Sequence, residues 1–129
     1  DGRSLGFLAW HITLTLGEMG GKAGLSVQAP PEDATMPSSV SVIAETYDSA
    51  GKSLAKAVQQ TWNDGMLSEE IEMYGEKWTR GNTLSALVRH QIHHRAQMTV
   101  LMRQAGLNVP GIYGPSKEEW SQYGMNAPQ

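Results

Sequence analysis

At 129 residues and 14.1 kDa the chain is long enough for one ordinary hydrophobic core and too short for two. A net charge of -3 with a pI near 5.8 gives no basic surface for nucleic acid, and no apolar run nears the roughly 18 residues of a membrane span, so neither is an expected partner. Cysteine is absent, which excludes disulfides, thiolate ligands and a cysteine nucleophile, suits a cytoplasmic location, and leaves nitrogen and oxygen as the donors for any metal.

The chain opens Asp1-Gly2-Arg3, with no initiator methionine and without the basic and apolar regions of a signal peptide. Ser4 is placed to cap a helix over about 4–19, where Leu5, Leu8, Ile12, Leu16 and Met19 recur at three- and four-residue intervals and form one stripe. Gly20-Gly21 is the expected stop. Residues 20–38 are rich in Gly, Pro, Ser and Ala, and Pro30, Pro31 and Pro37 rule out a regular helix. A connection this long predicts a crossover that sets the next helix parallel to the first.

Ser38 or Ser39 caps a second helix over about 39–62, with Val42, Ile43, Thr46, Ala50, Leu54, Ala57, Val58 and Thr61 on its inward side. Asn63-Asp64-Gly65 ends it. Residues 63–82 mix Ile71, Met73 and Trp78 with glutamates in no clean period, which predicts an extended or irregular connection. Thr83, with Asn82 as the alternative cap, opens a third helix over about 83–105 that Gly106 and Pro110 close. The tail, 106–129, is turn-rich, and Ser116 followed by Glu119 is a capping-box pattern for a short terminal helix. The expected organisation is one helical domain, 1–129.

Three of the four histidines fall in Arg89-His90-Gln91-Ile92-His93-His94-Arg95. His90 and His94 stand one helical turn apart, roughly 40° around the axis, on the side of Leu87, Met98 and Leu101. Imidazoles on an inward stripe need partners, which a metal supplies on one nitrogen and a carbonyl or carboxylate on the other. Hydrogen-bonded core histidines are the alternative, and spacing alone leaves both open. His11, beside Leu8 and Ile12, is able to approach the pair across the core, whereas His93 projects elsewhere and reads as a rim or surface residue. Gln91 follows His90, so the metalloprotease motif His-Glu-x-x-His is absent. Leu8, Leu87 and Gln91 stand three before the three candidate ligands, so the Glu-x-x-His pairs of a di-iron bundle are absent too.

The segments Arg3-Ser4-Leu5-Gly6-Phe7-Leu8-Ala9-Trp10-His11-Ile12 and Leu87-Val88-Arg89-His90-Gln91-Ile92-His93-His94-Arg95-Ala96-Gln97-Met98, extended by the tail from Gly106 to Trp120, resemble the DinB/YfiT-like superfamily of metal-dependent four-helix bundles. The resemblance covers nearly the whole chain. It implies an all-α fold, an up-down-down-up four-helix bundle with the first helix missing, because the family's first metal-binding histidine stands on the second helix and His11 stands on the first helix here. It also implies a divalent metal ion bound by His11, His90 and His94, with zinc, nickel, iron or copper suited to imidazole donors. A homodimer is implied as well, and a partner would cover an apolar face left by the absent helix.

Three imidazoles leave at least one open position on such an ion. Relatives within the superfamily include transferases and isomerases that use low-molecular-weight thiols such as bacillithiol or mycothiol, so the resemblance implies a thiol cofactor and an electrophilic substrate. Tyr113, Gln97 and Trp10 are pocket candidates by their place in the pattern. Two alternatives stand beside thiol transfer: a metal-dependent hydrolase using Glu18, Glu45 or a residue of 63–82 as base, and a non-catalytic stress-associated bundle stabilised by a structural metal.

Overall fold

The computed structural model describes residues 2–128, so Asp1 and Gln129, the two ends of the expected domain, lie outside the described residues. Ser4 accepts a hydrogen bond from the Phe7 amide at 3.1 Å and starts α1 (Leu5–Lys22), which runs through Gly20-Gly21 instead of stopping there. Packing explains the difference. A Cβ on Gly20 would stand 2.6 Å from Val27 Cγ2, and one on Gly17 would stand 2.6 Å from Ala29 Cβ. These glycines, three apart on one helix face, let the following segment lie directly on α1. The helix ends at Ala23, whose amide bonds back to the Met19 carbonyl at 3.0 Å.

The crossover then retraces α1 toward its start. Val27 lies by Gly20, Ala29 by Gly17, the Ala34 carbonyl accepts from Trp10 Nε1 at 2.9 Å, and Met36 lies by Gly6. Having returned to the end where α1 began, the chain sets off again as α2 (Val40–Thr61), parallel to α1. Ala9 and Ile12 share a groove with Val40, Ile43 and Tyr47, and farther along Gly20 faces Leu54. Ser39 flanks α2 but bonds to the Ser41 hydroxyl at 2.8 Å instead of to a helix amide. The inward side of α2 is narrower than its pattern predicts: Ile43, Ala50 and Ala57 are buried, while Val42 and Thr61 are exposed.

Of the extended or irregular connection expected over 63–82, the extended alternative holds. A short 3-10 turn (Asp64–Ser68) leads into β1 (Glu70–Met73) and β2 (Glu76–Thr79), an antiparallel pair in which Ile71 faces Trp78. The chain is therefore mostly helical with a small sheet, which corrects the all-α expectation. Glu70 and Glu72 alternate with the inward Ile71 and Met73, the period-two pattern of a half-buried strand. Met73, 0 % exposed, is driven into the core. Tyr74 at φ 55° and Gly75 at φ 79° supply the two left-handed residues of a two-residue hairpin turn.

Strand β2 runs straight into α3 (Arg80–Gln104). Thr79 is the cap, accepting from the Asn82 amide at 3.1 Å, and Thr83 is instead buried with its hydroxyl on the Thr79 carbonyl. Helix α3 lies antiparallel to α1, with Leu8 beside Gln97 and Leu101, and Gln91 bonded to Ile12. The tail forms a 3-10 turn (Trp120–Tyr123). Just before it, the Glu119 carboxylate accepts from the Ser116 and Gly111 amides, while Arg103 and Glu118 join the tail to the end of α3.

Three long helices and the hairpin are what the described residues contain. The core gathers Leu16, Met19, Leu25, Ala50, Trp62, Met73 and Leu87 around the C-terminal half of α1. His11 lies nearer the other end of that helix. Among the described residues no helix is long and apolar enough to cross a membrane.

Candidate metal centre

Helix α1 presents His11 toward α3, and α3 presents His90 and His94 from successive turns. Their ring nitrogens converge. The Nε2 atom of His90 lies 3.2 Å from that of His11 and 3.1 Å from that of His94, and one nitrogen from each ring falls within 4.8 Å of the other two. The rings meet edge to face, with centroids 4.5 to 5.0 Å apart. His94 is buried, and His11 and His90 are half-buried.

Two of the three rings are pushed toward their neutral form. Burial first, then the His94, His11 and His93 rings, push His90 down to about 4. Burial, His94 and Arg3 push His11 down as well. Neutral rings cannot satisfy the contacts among themselves: the single Nε2 of His90 faces two other Nε2 atoms, and one hydrogen there serves only one of them well. The buried Nδ1 of His90 has no hydrogen-bond partner among the described residues, so nothing in the protein selects its tautomer. A cation among the three Nε2 lone pairs would remove the first conflict and put the hydrogen of His90 on Nδ1, and the all-imidazole donor set suits a divalent first-row ion. The residues present therefore fit a metal.

Neighbouring side chains support the rings of His11 and His94. Gln91, only 9 % exposed, donates through Nε2 to the Ile12 carbonyl at 2.9 Å and accepts at Oε1 from the Tyr47 hydroxyl at 3.0 Å. One amide thus joins all three helices beside the histidines. Gln97 lies one turn beyond His93 and His94, with Oε1 2.8 Å from His94 Nδ1 and Nε2 3.1 Å from His93 Nε2. A cavity of about 360 Å³ opens beside His11 between α1 and the crossover, walled by Phe7, Trp10, Leu14 and Met36, with Glu18 and Glu32 also on its lining. Phe7 stacks on the His11 ring at 6.1 Å between centroids.

The DinB family model matches residues 1–127. The chain belongs to the DinB family. It is 46 % identical over 126 residues to the uncharacterized protein YrdA of Bacillus subtilis (strain 168), a match spanning 98 % of this chain and 75 % of that protein. The crystal structure of a DinB-like protein from Bacillus cereus ATCC 10987 superposes with a TM-score of 0.81 at 38 % identity, covering 85 % of this chain and 73 % of that one.

Within this DinB chain the structure brings His11, His90 and His94 together, and it leaves His93 exposed on the rim with its ring 4.9 Å from that of His94. Of the pocket candidates, Trp10 lines the cavity while its indole N–H anchors the crossover, and Gln97 touches His94 directly. Tyr113 is 83 % exposed and lines no part of the cavity beside His11. Glu18 lines that cavity but is engaged, accepting from Tyr74 at 3.0 Å with Lys22 3.8 Å away, and Glu45 is exposed on α2. Gln91 is the residue beside the cluster whose part is not legible in the sequence pattern alone. It entered only as a missing glutamate, yet Thr83, Leu87, Gln91 and His94 are the buried residues of α3 and recur at helical spacing.

Proposed function

We propose that this single-domain DinB-family protein binds a divalent metal ion through His11, His90 and His94 and uses it in transfer chemistry with a low-molecular-weight thiol. The observation that carries the reading is the convergence of three imidazole Nε2 atoms from two helices, with His11 and His90 79 positions apart in the chain. When bound, the ion supplies positive charge that makes a thiol or water at an open position more acidic. His11, His90 and His94 contribute lone pairs, and Gln91 keeps α1 and α3 in register so that the pairs meet. Phe7, Trp10, Leu14 and Met36 offer an apolar wall beside His11 on which an electrophilic substrate packs away from water. Zinc, nickel and iron are the candidate ions, and a homodimer in the cytoplasm is the expected setting.

We rank thiol transfer above metal-dependent hydrolysis because the cluster contains no carboxylate: of the two that line the cavity, Glu18 is already held by Tyr74 and Lys22, and Glu32 is not part of the histidine group. It stands above a purely structural metal because a cavity adjoins the cluster. The test takes protein purified without a histidine tag. Metal content is measured for the wild type and for His11→Ala, His90→Ala and His94→Ala, and turnover of a chromogenic electrophile is followed with several small thiols. Metal is expected in the wild type and lost in all three variants, with thiol-dependent turnover lost alongside. Equal turnover by His94→Ala sinks the transferase reading. A melting temperature that falls on chelation, with no metal-dependent turnover of either kind, makes the metal structural.

A further inference from the structure

We propose that Gln97, itself steadied by His93, is a positioning residue that fixes the tautomer of His94 so that its Nε2 lone pair faces those of His11 and His90. The inference rests on the metal-binding reading and deepens it. A neutral imidazole carries one hydrogen, and the bond made by one ring nitrogen decides whether the other is free to ligate. Gln97 Oε1 lies 2.8 Å from His94 Nδ1, and an amide oxygen only accepts, so the hydrogen of His94 sits on Nδ1 and Nε2 is left bare.

An amide offers oxygen on one side and nitrogen on the other, and turning it over reverses the instruction. Nitrogen facing His94 would draw its hydrogen to Nε2, where it blocks the cluster. The neighbouring contact opposes that turn when His93 Nε2 carries no hydrogen: Gln97 Nε2 lies 3.1 Å from it and donates to it. The shorter contact falls on the oxygen and the longer on the nitrogen, as expected for an N–H···O bond beside an N–H···N bond. All three residues sit on α3 at spacings of one, three and four, so the device is built within one helix. It also accounts for His93, the one histidine that does not reach the cluster.

The test has two readouts. Long-range nitrogen-15 spectra of the metal-free protein at mildly alkaline pH report which nitrogen of His94 carries the hydrogen. Calorimetry with Zn²⁺ reports affinity. The wild type is expected to show the hydrogen on Nδ1. Gln97→Leu should lose that preference and bind Zn²⁺ about 10–100-fold more weakly, the range typical of a residue that supports a ligand. Gln97→Glu, which still accepts from His94, should keep both the tautomer and the affinity, and His93→Ala should weaken binding less than Gln97→Leu does. The proposal is overturned by a wild-type His94 protonated on Nε2, or by a Gln97→Leu variant with unchanged tautomer and affinity within about twofold. If the wild type takes up no Zn²⁺ or other divalent ion, the metal reading falls, and the tautomer spectra still decide the role of Gln97.

Discussion

Gln91 on α3 donates to the carbonyl of Ile12 on α1 at 2.9 Å, directly beside the residues that bring His90 and His11 together. The same amide receives the Tyr47 hydroxyl of α2 at 3.0 Å. A buried amide satisfied on both sides specifies one register of three helices, and a half-satisfied one is costly. Gln91→Leu should therefore lower stability by about 1–3 kcal/mol, because the Ile12 carbonyl loses its buried donor and the half-buried Tyr47 hydroxyl loses its acceptor. Denaturant unfolding measures this. In a double-mutant cycle with Tyr47→Phe the two losses should not add, and strict additivity would show that the Tyr47 bond contributes nothing.

Met73 makes the corresponding argument for the hairpin. It is 0 % exposed and joins Trp62 and Leu87 in the core, whereas Glu72, its neighbour on the strand, is exposed. Met73→Ala should cost about 2–5 kcal/mol, the usual range for emptying a buried long side chain. Glu72→Ala should stay within about 0.5 kcal/mol. Comparable losses for the two variants would mean that the hairpin does not anchor to the core.

What was readable in the sequence was what local periodicity encodes. His90 and His94 disclose their shared face through a spacing of four, and the Leu8–Ile12–Leu16–Met19 stripe discloses how α1 faces inward. The hairpin stayed hidden because Tyr74 occupies a position where asparagine or aspartate usually signals a left-handed residue, and its side chain is held by Glu18, 56 positions away. Gly20-Gly21 imitated a helix stop because the reason for Gly20, its contact with Val27 and Leu54, is tertiary. Thr79 is not legible as the cap of α3 from local pattern, because the direct passage from β2 into the helix depends on the pairing of the two strands.

The close approach at Gly20 carries its own prediction. A Cβ there would lie 2.6 Å from Val27 Cγ2 and 3.1 Å from Leu54 Cδ1, so Gly20→Ala forces the crossover away from α1 despite the better helix propensity of alanine. The expected loss is about 1–3 kcal/mol by overpacking. Adding Val27→Ala removes the nearer methyl, so the double variant should be more stable than the sum of the two single losses. Calorimetric melting of the four proteins checks this, and a Gly20→Ala protein that melts above the wild type would show that the crossover does not seat on the glycine.

The lowered histidines set a pH dependence for the metal-free protein. Burial and the neighbouring rings hold His90 at about 4 and push His11 down from 6.5, while unfolding returns each ring to water and to its ordinary value. Between those values the unfolded chain binds more protons than the folded one, so stability rises with pH there. The contribution is fully present above about 6.5 and is lost as the pH falls through the window toward 4. With chelator present, the melting temperature should drop steadily on acidification from neutrality. His90→Phe, which carries no proton in either state, should show a shallower drop over the same range. Parallel curves for the two proteins would mean that His90 titrates alike folded and unfolded, and that burial beside the other rings does not hold it neutral.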